Sequence, residues 1–312
     1  MEQGGNTYWV QGLAVTRDGK RIVSGNLNGA LRVWDAETHE PITEWGGHEG
    51  YILCIVMSPG DKLIASGDMN GRIVIREMKE DAEMKHSIET VPVTVYSVCF
   101  SPDGTKLASA HGDNRIRVFD VENGDLIIGP IEGHTSNVNS VVWSLDGTRL
   151  FTASDDHSIR FWDSETGEAI GVPWTGHTSL VNSLSLSPDG TKLASGSSDN
   201  TVRFWGAESG DPIGEALQHG NSVWVVTFSP SGEFVACGEY SGKVLMWRVP
   251  WWDDNRSAVT VPSHTARVLD HQFDYLDLPT NRRPSPSRTH LRDTHATDDP
   301  SRPPSSAFSW RL

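Results

Sequence analysis

One four-residue phrase is written six times along this chain, at intervals of 42 or 43 residues. The copies begin at Thr16-Arg-Asp-Gly, Ser58-Pro-Gly-Asp, Ser101-Pro-Asp-Gly, Ser144-Leu-Asp-Gly, Ser187-Pro-Asp-Gly and Ser229-Pro-Ser-Gly. Eighteen residues after each opening a strand closes, at Trp34-Asp35, Arg76-Glu77, Phe119-Asp120, Trp162-Asp163, Trp205-Gly206 and Trp247-Arg248. Ten residues before four of the openings stands a histidine: His48, His134, His177 and His219. A period of this length means one supersecondary unit copied and stacked, because a single unit cannot bury its own apolar surface.

The stretch from residue 134 to 174 shows the unit most clearly. Val138 to Trp143 is a short apolar strand, and Leu145-Asp-Gly-Thr148 turns it back. Leu150 to Ala153 is a second strand, followed by the turn Ser154-Asp-Asp-His157. Ile159-Arg-Phe-Trp162 alternates as a half-buried strand does, and Ile170 to Trp174 supplies a fourth. Four strands joined by tight turns form an antiparallel sheet, and repetition around an axis buries both of its faces.

These residues and their spacing resemble the WD-repeat family, over about residues 8 to 264. The resemblance implies an all-β propeller of six complete four-stranded blades. Residues 1–7 form an N-terminal arm, and 265–277 the degenerate start of an incomplete seventh repeat. Pro262-Ser-His264-Thr-Ala-Arg-Val268 lines up with His134-Thr-Ser-Asn-Val138, but the pattern stops after Phe273. Residues 278–312 turn to Pro, Ser and Arg, a composition too poor in apolar groups to offset ordering entropy, so a disordered tail is expected there.

The resemblance also implies a structural tetrad in each blade, a hydrogen-bond chain of His, Ser or Thr, Asp and Trp. It is complete as His134, Thr152, Asp156, Trp162 and as His177, Ser195, Asp199, Trp205. Elsewhere it is broken. Asn70 and Arg76 replace Asp and Trp in the second repeat, and Val91 replaces His in the third. Cys237 and Ser241 replace Ser and Asp in the sixth, and Asn6 and Asn28 stand in the first. A His with Ser and Asp also suggests a catalytic triad, but recurrence at blade spacing argues for architecture, since an enzyme needs one site. No nucleophile elbow, phosphate loop or His-Glu-x-x-His helix occurs, so no catalytic residue is expected. No metal site or cofactor is expected either.

Charge narrows the partners. The formal charge is −15, and residues 251–312 hold eight bases and eight acids, so the whole excess belongs to the repeats. An acidic body repels phosphate backbones, so nucleic acid is not expected as a partner. No apolar run is long enough to span a membrane. No signal peptide is visible, and three scattered cysteines fit a reducing compartment, so a cytoplasmic or nuclear location is expected.

In this family the upper rim commonly binds partners, through positions three and five residues after the His position and one before the Asp position. Those offsets place Trp9 and Leu27, Tyr51, Leu53 and Met69, Tyr96, and Trp224 and Tyr240 on blades one, two, three and six. Blades four and five place Asn137, Asn139, Asp155, Leu180, Asn182 and Ser198 there. Trp and Tyr are common interface anchors. The expected role is therefore a non-enzymatic scaffold for a protein or peptide, a monomer within a larger complex. The alternatives are a reader of peptides or modified tails at the central channel, or the sensor part of a larger multidomain protein.

Overall fold

The structure, a computed structural model, describes residues 10–79 and 84–252. Why each repeat folds as it does is plain in its first turn. Ser101 Oγ donates to the Asp103 carboxylate and accepts the Lys106 N–H at 2.9 Å, while Asp103 also accepts the Thr105 N–H at 3.0 Å. Gly104, at φ 74°, supplies the left-handed residue that closes the turn. Ser144 with Asp146, and Ser187 with Asp189, repeat this arrangement. The phrase that recurs in the sequence is thus a side-chain-locked hairpin.

Each turn joins an inner strand to a second one. The inner strands are Val10–Val15, Ile52–Met57, Val95–Phe100, Val138–Trp143, Val181–Leu186 and Val223–Phe228. The second strands are Arg21–Asn26, Leu63–Asp68, Lys106–His111, Arg149–Ser154, Lys192–Ser197 and Phe234–Glu239. Third strands follow at Leu31–Asp35, Arg72–Glu77, Ile116–Asp120, Ile159–Asp163, Thr201–Gly206 and Val244–Arg248. All pairings are antiparallel and sequential, giving six blades in a ring about a central channel, with no helix among the described residues.

Outer strands Pro41–Trp45, Met84–Glu89, Leu126–Ile131 and Leu217–Gln218 complete four sheets. Blade four departs from the expectation of a full fourth strand. Its outer edge is reduced to the bridges Ile159↔Trp174 and Trp162↔Ala169. Pro173 lacks a donor and Gly171 sits at φ 72°, which together interrupt a ladder. Blade six has three strands among the described residues, and the arm at 1–7, the seventh-repeat start at 265–277 and the tail at 278–312 lie outside them.

The core lies between blades rather than within them. The interface of blades three and four is typical: Ala108, Ala110, Ile116 and Val118 of one blade meet Val138, Val141 and Trp143 of the next, all at most 5% exposed. Matching clusters sit at each junction from blades one and two through blades five and six. Each fully buried Val, Leu or Ile contributes about 1.5–3 kcal/mol by leaving water.

Candidate functional site: the buried hydrogen-bond chains and the upper rim

Blade four carries a directed chain of hydrogen bonds. Trp162 Nε1–H donates to Thr152 Oγ1 at 2.8 Å, Thr152 Oγ1 meets His134 Nε2 at 2.8 Å, and His134 Nδ1 meets Asp156 Oδ2 at 2.8 Å. Because a carboxylate only accepts, the proton sits on Nδ1 and the hydroxyl donates to Nε2. Blade five repeats the chain through Trp205, Ser195, His177 and Asp199, at 2.8, 2.7 and 2.8 Å. Burial alone would raise the carboxyls of Asp156 and Asp199. The bonds from His134 and Ser158, and from His177 and Thr201, prevail and hold both well below the usual range. Ser195 and Thr152 are fully buried, so no substrate can reach these hydroxyls as it would a triad nucleophile.

Blade two is not broken in the way the sequence suggests. His48 Nε2 meets Ser66 Oγ at 2.7 Å, and His48 Nδ1 meets Asp68 Oδ2 at 2.9 Å. The carboxylate has moved back two residues from the Asn70 position to the end of the second strand. Asp68 Oδ1 also accepts the Asn70 and Arg72 N–H groups, each at 2.9 Å. Arg76, in the Trp position, donates to the Gly46 carbonyl and lies 5.8 Å from the Trp45 ring centroid.

Blade six makes the same move with a longer acid. Glu239 Oε1 meets His219 Nδ1 at 3.2 Å, and Ser241 Oγ donates to Glu239 Oε2 at 2.8 Å. Cys237 offers no comparable hydroxyl, and the buried His219 Nε2 and Trp247 Nε1 have no partner among the described residues. In blade three the shifted position holds His111, whose Nε2 meets Ser109 Oγ at 2.7 Å, while Asp113 pairs with Arg117 at 2.6 Å. Val91 is 42% exposed and takes no part. Blade one keeps the bond from Trp34 Nε1 to Ser24 Oγ at 2.8 Å, and Asn26 Oδ1 accepts the Asn28 and Ala30 N–H groups. A signal for the relocation was present in the sequence. In repeats two and six an acid stands two residues before the position where the Asp is missing.

The rim positions are brought together by a shared backbone device. The N–H before the Asp position donates to the carbonyl three after the His position, in Met69 to Tyr51, Asp155 to Asn137, Ser198 to Leu180 and Tyr240 to Ser222, at 2.8–3.0 Å. The ladder then shifts register, so that Leu53, Tyr96, Asn139, Asn182 and Trp224 each fall at a β-bulge. A bulge re-aims its side chain out of the regular alternation.

What the rim presents differs around the ring. Tyr51, Met69 and Tyr240 are 48, 42 and 44% exposed. Trp224 is half-buried with its ring 6.0 Å from that of Tyr240, and Tyr96, Leu53 and Leu27 are also half-buried. Trp9 lies outside the described residues. On blades four and five the polar side chains are spent on the protein itself. Asn139 bonds Asp155 and the Val181 carbonyl, and Asn182 bonds Ser198 at 3.0 Å and the Val223 carbonyl at 2.9 Å. The central channel, of about 240 Å³, is lined by Leu13, Leu53, Tyr96, Ser97, Val142 and Ser183 among others, with no carboxylate among the described residues. Burial pushes the Cys237 thiol up to about 12 and that of Cys99 up to about 11, which suppresses the nucleophilic thiolate.

This geometry defines a class of protein: a repeat-built propeller with buried, self-satisfied blades and a variable rim. The family model described as WD domain, G-beta repeat matches residues 2–35, 39–76, 85–120, 127–163, 168–206 and 210–248, and the chain belongs to that family. It is 29% identical to the small ribosomal subunit protein RACK1y of Oryza sativa subsp. japonica, over 32% of this chain and 30% of that protein. It is 31% identical to a guanine nucleotide-binding protein subunit beta-like protein of Encephalitozoon cuniculi, over 27% of this chain and 25% of that one. With the apoptotic protease-activating factor 1 of Rattus norvegicus it shares 32% identity over 29% of this chain and 8% of that protein. The chain thus spans under a third of the length of each of these relatives. Among the described residues, no helix is long and apolar enough to cross a membrane.

Proposed function

We propose that this protein is a non-enzymatic scaffold that holds a protein or peptide partner on the upper rim of blades six, one, two and three. The observation that carries this is the asymmetry of the rim. Tyr51, Met69 and Tyr240 are exposed on one arc, while Asn139 and Asn182 on the other bond their own and neighbouring blades. Exposed Tyr side chains at a rim give large contact area at little entropic cost, and the flexible Met side chain adapts to irregular partner surfaces. The net charge of −15 favours a partner whose apolar anchors are flanked by basic residues. A reader of modified tails at the central channel draws less support, because the lining supplied by the described residues holds no carboxylate to form an acidic funnel.

The test is affinity purification with mass spectrometry, comparing the natural chain with a Trp224→Ala/Tyr51→Ala variant and an Asn137→Ala/Ser198→Ala control. Losing a central anchor should cost about 2 kcal/mol or more of binding, so partners of the natural chain should disappear with the first variant and persist with the second. Retention of every partner by a folded Trp224→Ala/Tyr51→Ala protein overturns the proposal.

A further inference from the structure

The ring has one junction unlike the other five. Each inner strand packs along the next from blade one round to blade six, but Val223–Phe228 and Val10–Val15 do not pack together in this way. The consequence shows in a face that every other blade buries. Its four positions are Ala108, Ala110, Ile116 and Val118 in blade three and Ala65, Gly67, Ile73 and Ile75 in blade two. Of these, Ala65, Ile73, Ile75, Ala108, Ala110 and Val118 are 0% exposed and Ile116 is 1% exposed. The same positions in blade six are Ala236, Gly238, Val244 and Met246, and there Val244 is 55% and Met246 59% exposed. On the facing side, Val10 is half-buried, whereas its counterparts Ile52, Val95, Val138, Val181 and Val223 are all 0% exposed.

The glycines give an independent measure. A Cβ on Gly25 would fall 2.6 Å from Ile52, on Gly67 2.5 Å from Val95, and on Gly196 2.8 Å from Val223. In each case the contact is the branched residue four after the His position on the next blade. At Gly238 the only atom in range among the described residues belongs to Val225 of its own blade. The glycine that makes room for a neighbouring branched side chain is present, and the neighbour is not supplied by blade one.

We propose that residues 264–273 of this same chain seat in this seam as a seventh inner strand, with Val268 over Gly238. Val268 stands four residues after His264, the offset of Ile52 from His48, of Val138 from His134 and of Val223 from His219. Phe273 then takes the place of Trp143 and Phe228. The Trp-to-His interval is 17 residues from Trp247 to His264, against 14 or 15 from Trp34 to His48, Trp162 to His177 and Trp205 to His219. The chain leaves the described residues at Trp252, and the 11 residues before His264 reach up to roughly 40 Å, ample for the adjacent edge. The seam lies within the arc of the proposed partner site, but this inference rests on Gly238, Val244 and Met246 and not on the rim residues Tyr51, Met69 and Tyr240.

Methionine oxidation in the full-length monomer tests it. Met69 and Met84, 42 and 44% exposed, are accessible references, and half-buried Met57 reports that the ring stays folded. Docking should make Met246 oxidise about tenfold slower than these references, the effect of about 1.4 kcal/mol of docking free energy. Val268→Asp should abolish that protection with Met57 unchanged, and Val268→Ile should preserve it. Oxidation of Met246 at the rate of Met69 in the natural chain overturns the proposal. So does protection that survives Val268→Asp, or that rises with protein concentration, which would identify a second copy as the occupant.

Discussion

Moving one carboxylate within blade two should move its stability with it. Asp68 is fully buried and accepts three bonds, from His48 Nδ1, Asn70 N and Arg72 N, each at 2.9 Å. Asp68→Ala strands all three donors. At about 1–3 kcal/mol for each buried group left unpaired, and with partial relief by water at the exposed turn, the loss should be about 3–5 kcal/mol. Asn70 is exposed, so Asn70→Ala should cost about 0.5 kcal/mol or less. Blades four and five show how the network can be rebuilt, because Ser154 and Ser197 stand at the Asp68 position, two residues before Asp156 and Asp199. Asp68→Ser alone should destabilise strongly, and adding Asn70→Asp should recover about half of the loss or more. The assay is the denaturant midpoint at pH 7 with the slope held constant, so that the shift reports stability alone. Equal shifts for Asp68→Ala and Asn70→Ala, or no recovery in the Asp68→Ser/Asn70→Asp chain, would refute the reasoning.

Two further outcomes follow from the same geometry. Burial, with the Arg117 charge beside it, pushes His111 down from 6.5 to about 3, so the unfolded chain takes up a proton that the native state refuses. Stability from this group is complete above pH 6.5 and is lost as pH falls toward 3. His111→Gln should flatten the upper part of that decline, and an unchanged melting profile between pH 6.5 and 4.5 would count against it. Gly29, at φ 79°, would place a Cβ 2.3 Å from the His48 carbonyl oxygen, while Gly19, at φ 70°, has open space around it. Gly29→Ala should therefore cost about 3 kcal/mol or more and Gly19→Ala about 1 kcal/mol, read by thermal unfolding.

The six-fold repeat, the turn at Leu145 to Thr148, and the complete chains at His134 and His177 were legible without coordinates. Each rests on residues close in sequence or on a fixed offset within one unit, and local hydrogen bonding enforces such offsets blade after blade. The partners of His48 and His219 were not legible by that rule. Asp68 and Glu239 reach their histidines from the last residue of the second strand, and only the packing of that strand end against the His shows that a carboxylate two residues early can bond the same Nδ1. The rim divides in the same way. The sequence placed Tyr51, Met69 and Tyr240 at rim positions, but tertiary structure decided that they stay exposed while Asn139 and Asn182, at another rim position, turn inward to carbonyls of the next blade. The uncovered face of Val244 and Met246 belongs wholly to the second kind. Those residues look like any other third strand, and exposure there depends on whether a neighbour stands across the junction, a fact of ring closure that no single repeat contains.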